Sequence, residues 1–198
     1  LVHHNIAAVS AMSSNAFPAD SLQALVAARP GNLPKLVWAL DNEPGAHAYT
    51  KRWVRMAREL GFTCEAAQIP QRDNRKVDWN DLHQRWQFLD EGEKLDAQVD
   101  KDITTARHHG ALLIAENATE KALVMFDWKR RSEFHLEFGN RLYWFKLDLE
   151  KYNKAIQELE DSDHHDDQQL NNKQMRSKAM QQCGALQRIA TCNPKALY

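Results

Sequence analysis

The apolar residues fall into two rhythms. Residues 5–10 (Asn-Ile-Ala-Ala-Val-Ser) read as a short buried strand, and residues 20–29 follow Pro18 with Leu22, Leu25 and Val26 on one helical face, running out near Pro30-Gly31. Residues 35–40 (Lys-Leu-Val-Trp-Ala-Leu) form the continuous apolar run expected of a buried parallel strand. Ala46, Tyr49, Trp53, Met56 and Leu60 then stand at helical spacing and predict a helix over 46–60, with Gly61 where a helix-ending glycine belongs. Residues 63–69 read as a third strand. The order strand–helix–strand–helix–strand with short connections predicts a parallel sheet with right-handed crossovers, an α/β unit.

Residues 70–76 (Pro-Gln-Arg-Asp-Asn-Arg-Lys) are polar and partly basic, and lead into a helix with Trp79, Leu82, Trp86 and Leu89 on its apolar face. Leu95, Val99, Ile103 and Ala106 predict a further helix ending in His108-His109-Gly110. After that the pattern changes. Residues 111–115 read as a strand, and Asn117-Ala118-Thr119-Glu120 looks like a capping box opening a helix through Trp128. Residues 134–138 and 142–147 flank Gly139-Asn140, a two-residue hairpin signal. A helix over 149–159, the acidic run 161–167 and a last helix over 172–190 complete the chain. The acidic run contains His164 and His165 but no apolar frame to hold ligands rigid, so it reads as a solvated linker rather than a metal cluster. The expected organisation is an α/β domain over 1–92, a connecting helix over 93–110, and a smaller α+β segment over 111–198 containing the hairpin 134–147.

Composition narrows the function little. The chain has 198 residues, 43% hydrophobic and 27% charged, with a net charge of -1. These are ordinary globular values, so binding to nucleic acid would need a local basic patch or a bridging metal. Cys64, Cys183 and Cys192 are widely spaced and suit a reducing cytoplasm better than a disulfide framework. No apolar run approaches the roughly 20 residues of a membrane span. The opening Leu1-Val2-His3-His4 is neither an initiator methionine nor a signal peptide, and Lys195-Ala196-Leu197-Tyr198 stops within an apolar pattern. The chain therefore reads as a piece of something longer.

The candidate chemistry lies at the strand tips. Asp41 and Glu43 end the run 35–40, before Pro44-Gly45 turns the chain into a helix. In open α/β sheets ligands sit beyond the carboxyl ends of the strands, and two carboxylates there make a natural site for Mg²⁺. Asp78 and Asp81 follow the next strand, and a parallel sheet brings both loops to the same edge. Four gathered carboxylates need a cation to neutralise them. Taken alone, Asp78 and Asp81 read first as the N-cap and first-turn acid of their helix, a role compatible with facing a metal.

Three stretches carry a resemblance. Ala39-Leu40-Asp41-Asn42-Glu43-Pro44-Gly45 looks like the Asp-x-Asp motif of Toprim domains; Lys76-Val77-Asp78-Trp79-Asn80-Asp81-Leu82 resembles their Lys-Asp-x-x-Asp-Leu segment, with Val77 inserted; and Ala8-Val9-Ser10-Ala11-Met12-Ser13 is similar to the small-residue strand preceding them. The match is closest to primase-like Toprim proteins of phages and integrative mobile elements of bacteria, and covers residues 1–89. Two features depart from the family: Glu43 stands for the second aspartate, and Gly45 comes one residue early. The family's first motif, a glutamate-glycine pair, would lie before Leu1.

The resemblance implies a Toprim-like (Rossmann-like) fold and a fragment of a protein that performs Mg²⁺- or Mn²⁺-dependent nucleotidyl or phosphoryl transfer on DNA during replication of a phage or mobile element. Asp41 and Glu43 would be catalytic and, with Asp78 and Asp81, hold the metal. DNA and nucleotides would be the partners of the full-length protein, together with its other domains. This chain, lacking the motif glutamate, would be inactive alone. Arg72, Arg75 and Lys76 in the loop, and Lys51, Arg52 and Arg55 (with Arg58) on the helix after Gly45, are the candidate nucleic-acid contacts; the helical set reads equally as a solvated face. A Toprim nuclease, or a non-catalytic replication module binding DNA or proteins, remains the alternative. Trp53, Trp79 and Trp86 read as core. Trp128, Tyr143, Trp144 and Phe145 read as a second small core, although a sheet bearing Tyr143 and Phe145 could also stack bases. Among the histidines only His47 and His83 lie near the acids.

Overall fold

The structure, a computed structural model, describes residues 7–10, 15–71, 76–89, 92–163 and 171–191. It is a mixed α/β chain that separates into two compact units, Leu1–Ile114 and Ala115–Tyr198.

In the first unit the described elements are α1 (Ala19–Ala28), β1 (Leu36–Trp38), α2 (Pro44–Glu59), β2 (Cys64–Ala66), α3 (Trp79–Trp86) and α4 (Glu93–Ile114). β1 and β2 pair in parallel, with Leu36 opposite Cys64 and Trp38 opposite Ala66. Of the strand expected over 5–10, residues 5 and 6 lie outside the described ones, and residues 7–10 form no strand. Val9 is 98% exposed, and the other described residues there, Ala7, Ala8 and Ser10, are too small to bury much apolar surface against a sheet. The first described sheet therefore has two strands rather than three.

The pattern that predicted α2 also explains its packing. Ala46, Thr50, Trp53, Val54 and Ala57 recur at helical spacing and are all buried. Trp53 meets Trp38 edge-on at 5.4 Å, with Phe17 and Tyr49 beside it. Leu22 of α1, Phe62 and Cys64 close this cluster. The buried Thr50 hydroxyl finds its partner one turn back, donating to the Ala46 carbonyl at 2.8 Å. A second cluster joins Ile69, Val77, Leu82, Trp86 and Val99, and the Trp86 indole N–H donates to Asp102 at 2.9 Å.

α4 corrects two expectations. It does not end at His108-His109-Gly110, and residues 111–114 continue the helix instead of forming a strand. Gly110 is where α4 lies directly on the β2 backbone, and just before it the Ala106 carbonyl accepts from the Gln68 N–H at 2.8 Å. A glycine inside a helix allows that approach because it has no Cβ. The helix expected as a connector is thus packed into the first unit, and the boundary falls after Ile114.

The second unit contains α5 (Ala118–Lys129), β3 (Glu133–Phe138), β4 (Arg141–Lys146), α6 (Leu149–Asp163), α7 (Asn172–Gln182) and β5 (Leu186–Thr191). The hairpin forms with Phe138 opposite Arg141, and Gly139 and Asn140 both have positive φ, the geometry a two-residue turn demands. The helix expected over 172–190 stops at Gln182. Gly184, at φ +64, reverses the chain so that β5 pairs antiparallel with β4. α6 runs through Asp163, taking in the first three residues of the run expected as a linker; residues 164–167 lie outside the described ones. Phe145 is fully buried against Phe134 and Phe126. Trp144 points to the other face, donating to Glu133 at 3.0 Å with Lys146 over its ring. The Arg176 guanidinium clamps Asp127 through both nitrogens, at 2.9 and 2.5 Å, and reaches the Tyr152 hydroxyl at 3.2 Å, tying α7 to α5 and α6.

Candidate functional site

The parallel pairing of β1 and β2 sends two loops out of the same sheet edge. The loop after β1 carries Asp41, Asn42 and Glu43; the loop after β2 returns through Lys76 and Asp78. Two side chains fix them. Asn42 Nδ2 donates to the Ile69 carbonyl at 2.6 Å and ties the first loop to the end of the β2 segment. Gln71 spans its own loop: its amide oxygen accepts from the Val77 N–H at 2.7 Å, and its Nε2 donates to the Val77 carbonyl at 2.8 Å. Residue 76 is thereby held beside the neighbouring tip.

The Lys76 ammonium is bonded to Glu43 Oε1 and lies 3.9 Å from Asp41 Oδ2. The hydrogen bond to Glu43, then the charges of Glu43, Asp41 and Asp78, hold this ammonium above the ordinary lysine range. Three of the four expected acids therefore act on one cationic centre. All three charged side chains that meet there are about half exposed, at 51% for Asp41, 49% for Glu43 and 55% for Lys76. Glu43 is also the N-cap residue of α2, but its side chain makes no capping bond and is free to reach Lys76.

Asp78 and Asp81 form a reciprocal capping box on α3. Asp78 Oδ1 accepts from the Asp81 N–H at 2.9 Å, and Asp81 Oδ2 accepts from the Asp78 N–H at 2.9 Å. Each commits one carboxylate oxygen to the helix start, and among the described residues the other makes no hydrogen bond. Among the described residues no three His, Cys, Asp or Glu side chains form a ready ligand group for a metal. Mg²⁺ does not need one. It keeps several waters and is usually held by one or two carboxylates together with substrate phosphates. Asp41 and Glu43, half exposed and converging on one cation, fit that open kind of site.

Of the candidate nucleic-acid contacts, Lys51, Arg52 and Arg55 are exposed along α2, Lys76 engages the acids, and Arg72 and Arg75 lie outside the described residues. His83 lies one turn along α3 and pairs with Gln87 at 3.2 Å. Asn42 and Gln71 were not foreseen as site residues. The only signal for Asn42 was its place between two acids, and Gln71 has none beyond a polar loop.

His47 is brought in by Asn42. Because Asn42 Nδ2 faces the Ile69 carbonyl, its Oδ1 faces His47 Nε2, which must be the donor. Burial first, and the Lys51 charge second, push the imidazole below its ordinary 6.5. A neutral His47 protonated on Nε2 is therefore expected at pH 7. Long-range ¹H–¹⁵N spectra should show that tautomer and a midpoint below 6.5. Asn42→Leu should remove the tautomer preference. A lowered folded-state pKa also means that any stability from neutral His47 is present above 6.5 and is lost as pH falls from there through the lower folded-state pKa.

Comparison with protein-family models, curated proteins and solved structures gave no match to this chain.

Proposed function

We propose that the first unit is the acid-bearing part of a Toprim-like core from a primase-like protein, which holds Mg²⁺ or Mn²⁺ for phosphoryl transfer on DNA. The observation that carries the reading is the convergence of Asp41 and Glu43, at the tip of β1, on the Lys76 ammonium delivered by the loop after β2. Asp41 and Glu43 would bind the divalent ion, with the second oxygens of Asp78 and Asp81 facing its water shell. Bound there, the ion would neutralise phosphate charge and activate an attacking oxygen. Asn42 holds the first tip against the end of the β2 segment, so the two acids keep a fixed position. Lys51, Arg52 and Arg55 offer exposed positive charge on the helix that starts at the site. Their contacts to phosphate would position a strand without reading its sequence.

The residues support binding more directly than turnover. Whether the chemistry makes or cuts a phosphodiester is not set by the acids. One observation favours the non-catalytic alternative: Lys76 already supplies a positive charge to the acids.

Calorimetry with Mn²⁺ separates the readings. Asp41→Asn should weaken binding at least tenfold, since it removes one of two direct ligands. Glu150→Gln, which removes a carboxylate from the first turn of α6 in the second unit, should leave binding unchanged. Equal loss from both variants would mean diffuse charge attraction. Full binding by Asp41→Asn would remove the metal site and favour the module.

A further inference from the structure

We propose that Lys76 is a displaceable counter-ion of the acid site, occupying the cation position until a divalent ion takes it; this rests on the metal-holding reading above. Lys76 is not on the same loop as its partners. It comes from the loop after β2 and bonds acids of the loop after β1, and the Gln71–Val77 double hydrogen bond sets its approach. A lysine meant only to contact phosphate gains nothing from facing two carboxylates. One that replaces a missing cation removes the repulsion between Asp41, Glu43 and Asp78.

The geometry also allows release. The Lys76 side chain is 55% exposed, and its ammonium sits on a flexible stem with water on one side. Exposed pairs of this kind are weak and easily exchanged. A divalent ion carries twice the charge of an ammonium and accepts both carboxylates in its shell. Once displaced, Lys76 stands next to the ion as a free ammonium, placed to meet a phosphate. The nucleic-acid role read from the sequence and the ion pair seen in the fold are then two states of one side chain.

The inference reverses the sign expected of an ordinary site residue, because removing Lys76 should tighten metal binding. The test is Mn²⁺ affinity by calorimetry for the wild type, Lys76→Met, Lys76→Arg and Lys35→Met. Lys35 pairs with Glu65 just before the start of β1, away from the tip, so its variant removes the same charge elsewhere. Lys76→Met should lower the Mn²⁺ dissociation constant roughly five- to tenfold at low salt, the scale of one displaced unit charge opposing a divalent ion about 6–8 Å away in water. Lys76→Arg should stay near the wild type, and Lys35→Met should change less than about twofold. Dispersed amide spectra will confirm that each variant folds. Wild-type binding that Lys76→Met leaves unchanged or weakens overturns this inference alone. Equal tightening by Lys35→Met also overturns it, in favour of general charge. Absence of Mn²⁺ binding in both the wild type and Lys76→Met overturns the metal reading and this inference with it.

Discussion

Gly110→Ala should destabilise the first unit by about 3 kcal/mol or more, although helix propensity alone would make it stabilising by about 1 kcal/mol. A Cβ at residue 110 would lie 2.0 Å from the Ala66 oxygen, 2.2 Å from the Ala66 carbonyl carbon and 2.6 Å from the Ala67 nitrogen. None of these atoms belongs to a side chain that can turn away. Either α4 lifts off β2 or the β2 backbone moves. The first strains the Gln68–Ala106 bond, and the second strains the Ala67–Trp38 bond that continues the parallel ladder. The damage should reach the acids, because Ile69, three residues beyond β2, holds Asn42. Gly45→Ala is the control: a Cβ there meets nothing within 4 Å, so its effect should stay within about 1 kcal/mol. Urea denaturation followed by amide signals of α2 and β2 gives both values. Equal stability of the two variants would contradict the close approach.

Trp53→Ala should cost the same unit about 3–5 kcal/mol, the usual range for deleting a fully packed aromatic side chain. Trp53 is 2% exposed and central to its cluster, touching Trp38 edge-on at 5.4 Å and flanked by Phe17 and Tyr49. Its loss leaves a cavity between α2 and β1 that small neighbours such as Ala57 cannot fill. Trp53→Phe should recover part of the loss by keeping a ring against Trp38. If Trp53→Ala cost less than about 1 kcal/mol, the site would not be a close-packed core.

These two positions show what the sequence could and could not reveal. Trp53 was legible because its neighbours Tyr49, Met56 and Leu60 repeat at helical spacing, a local signal. Gly110 was misread as a helix stop, because what selects it is a strand backbone more than forty residues earlier. Gly184 was passed over inside an apparently helical run, and β5 with it, since the partner that makes residues 186–191 a strand is β4. The site divides the same way. Asp78 and Asp81 are three apart after a loop, and that spacing spells a capping box. Asp41 and Glu43 stood out as acids ending an apolar run. Lys76 was seen as loop charge and not as their partner, because its position depends on parallel strand pairing and the Gln71–Val77 clasp.

Paramagnetic broadening by Mn²⁺, mapped over the amide signals of the whole chain, tests the cation site most directly. At substoichiometric Mn²⁺ the signals of residues 41–45 and 76–81 should fade first and together, while the acidic end of α6, with Glu158 and Asp161, keeps its intensity. Broadening shared by both acidic regions, or confined to α6, would contradict a cation site at the tips of β1 and β2.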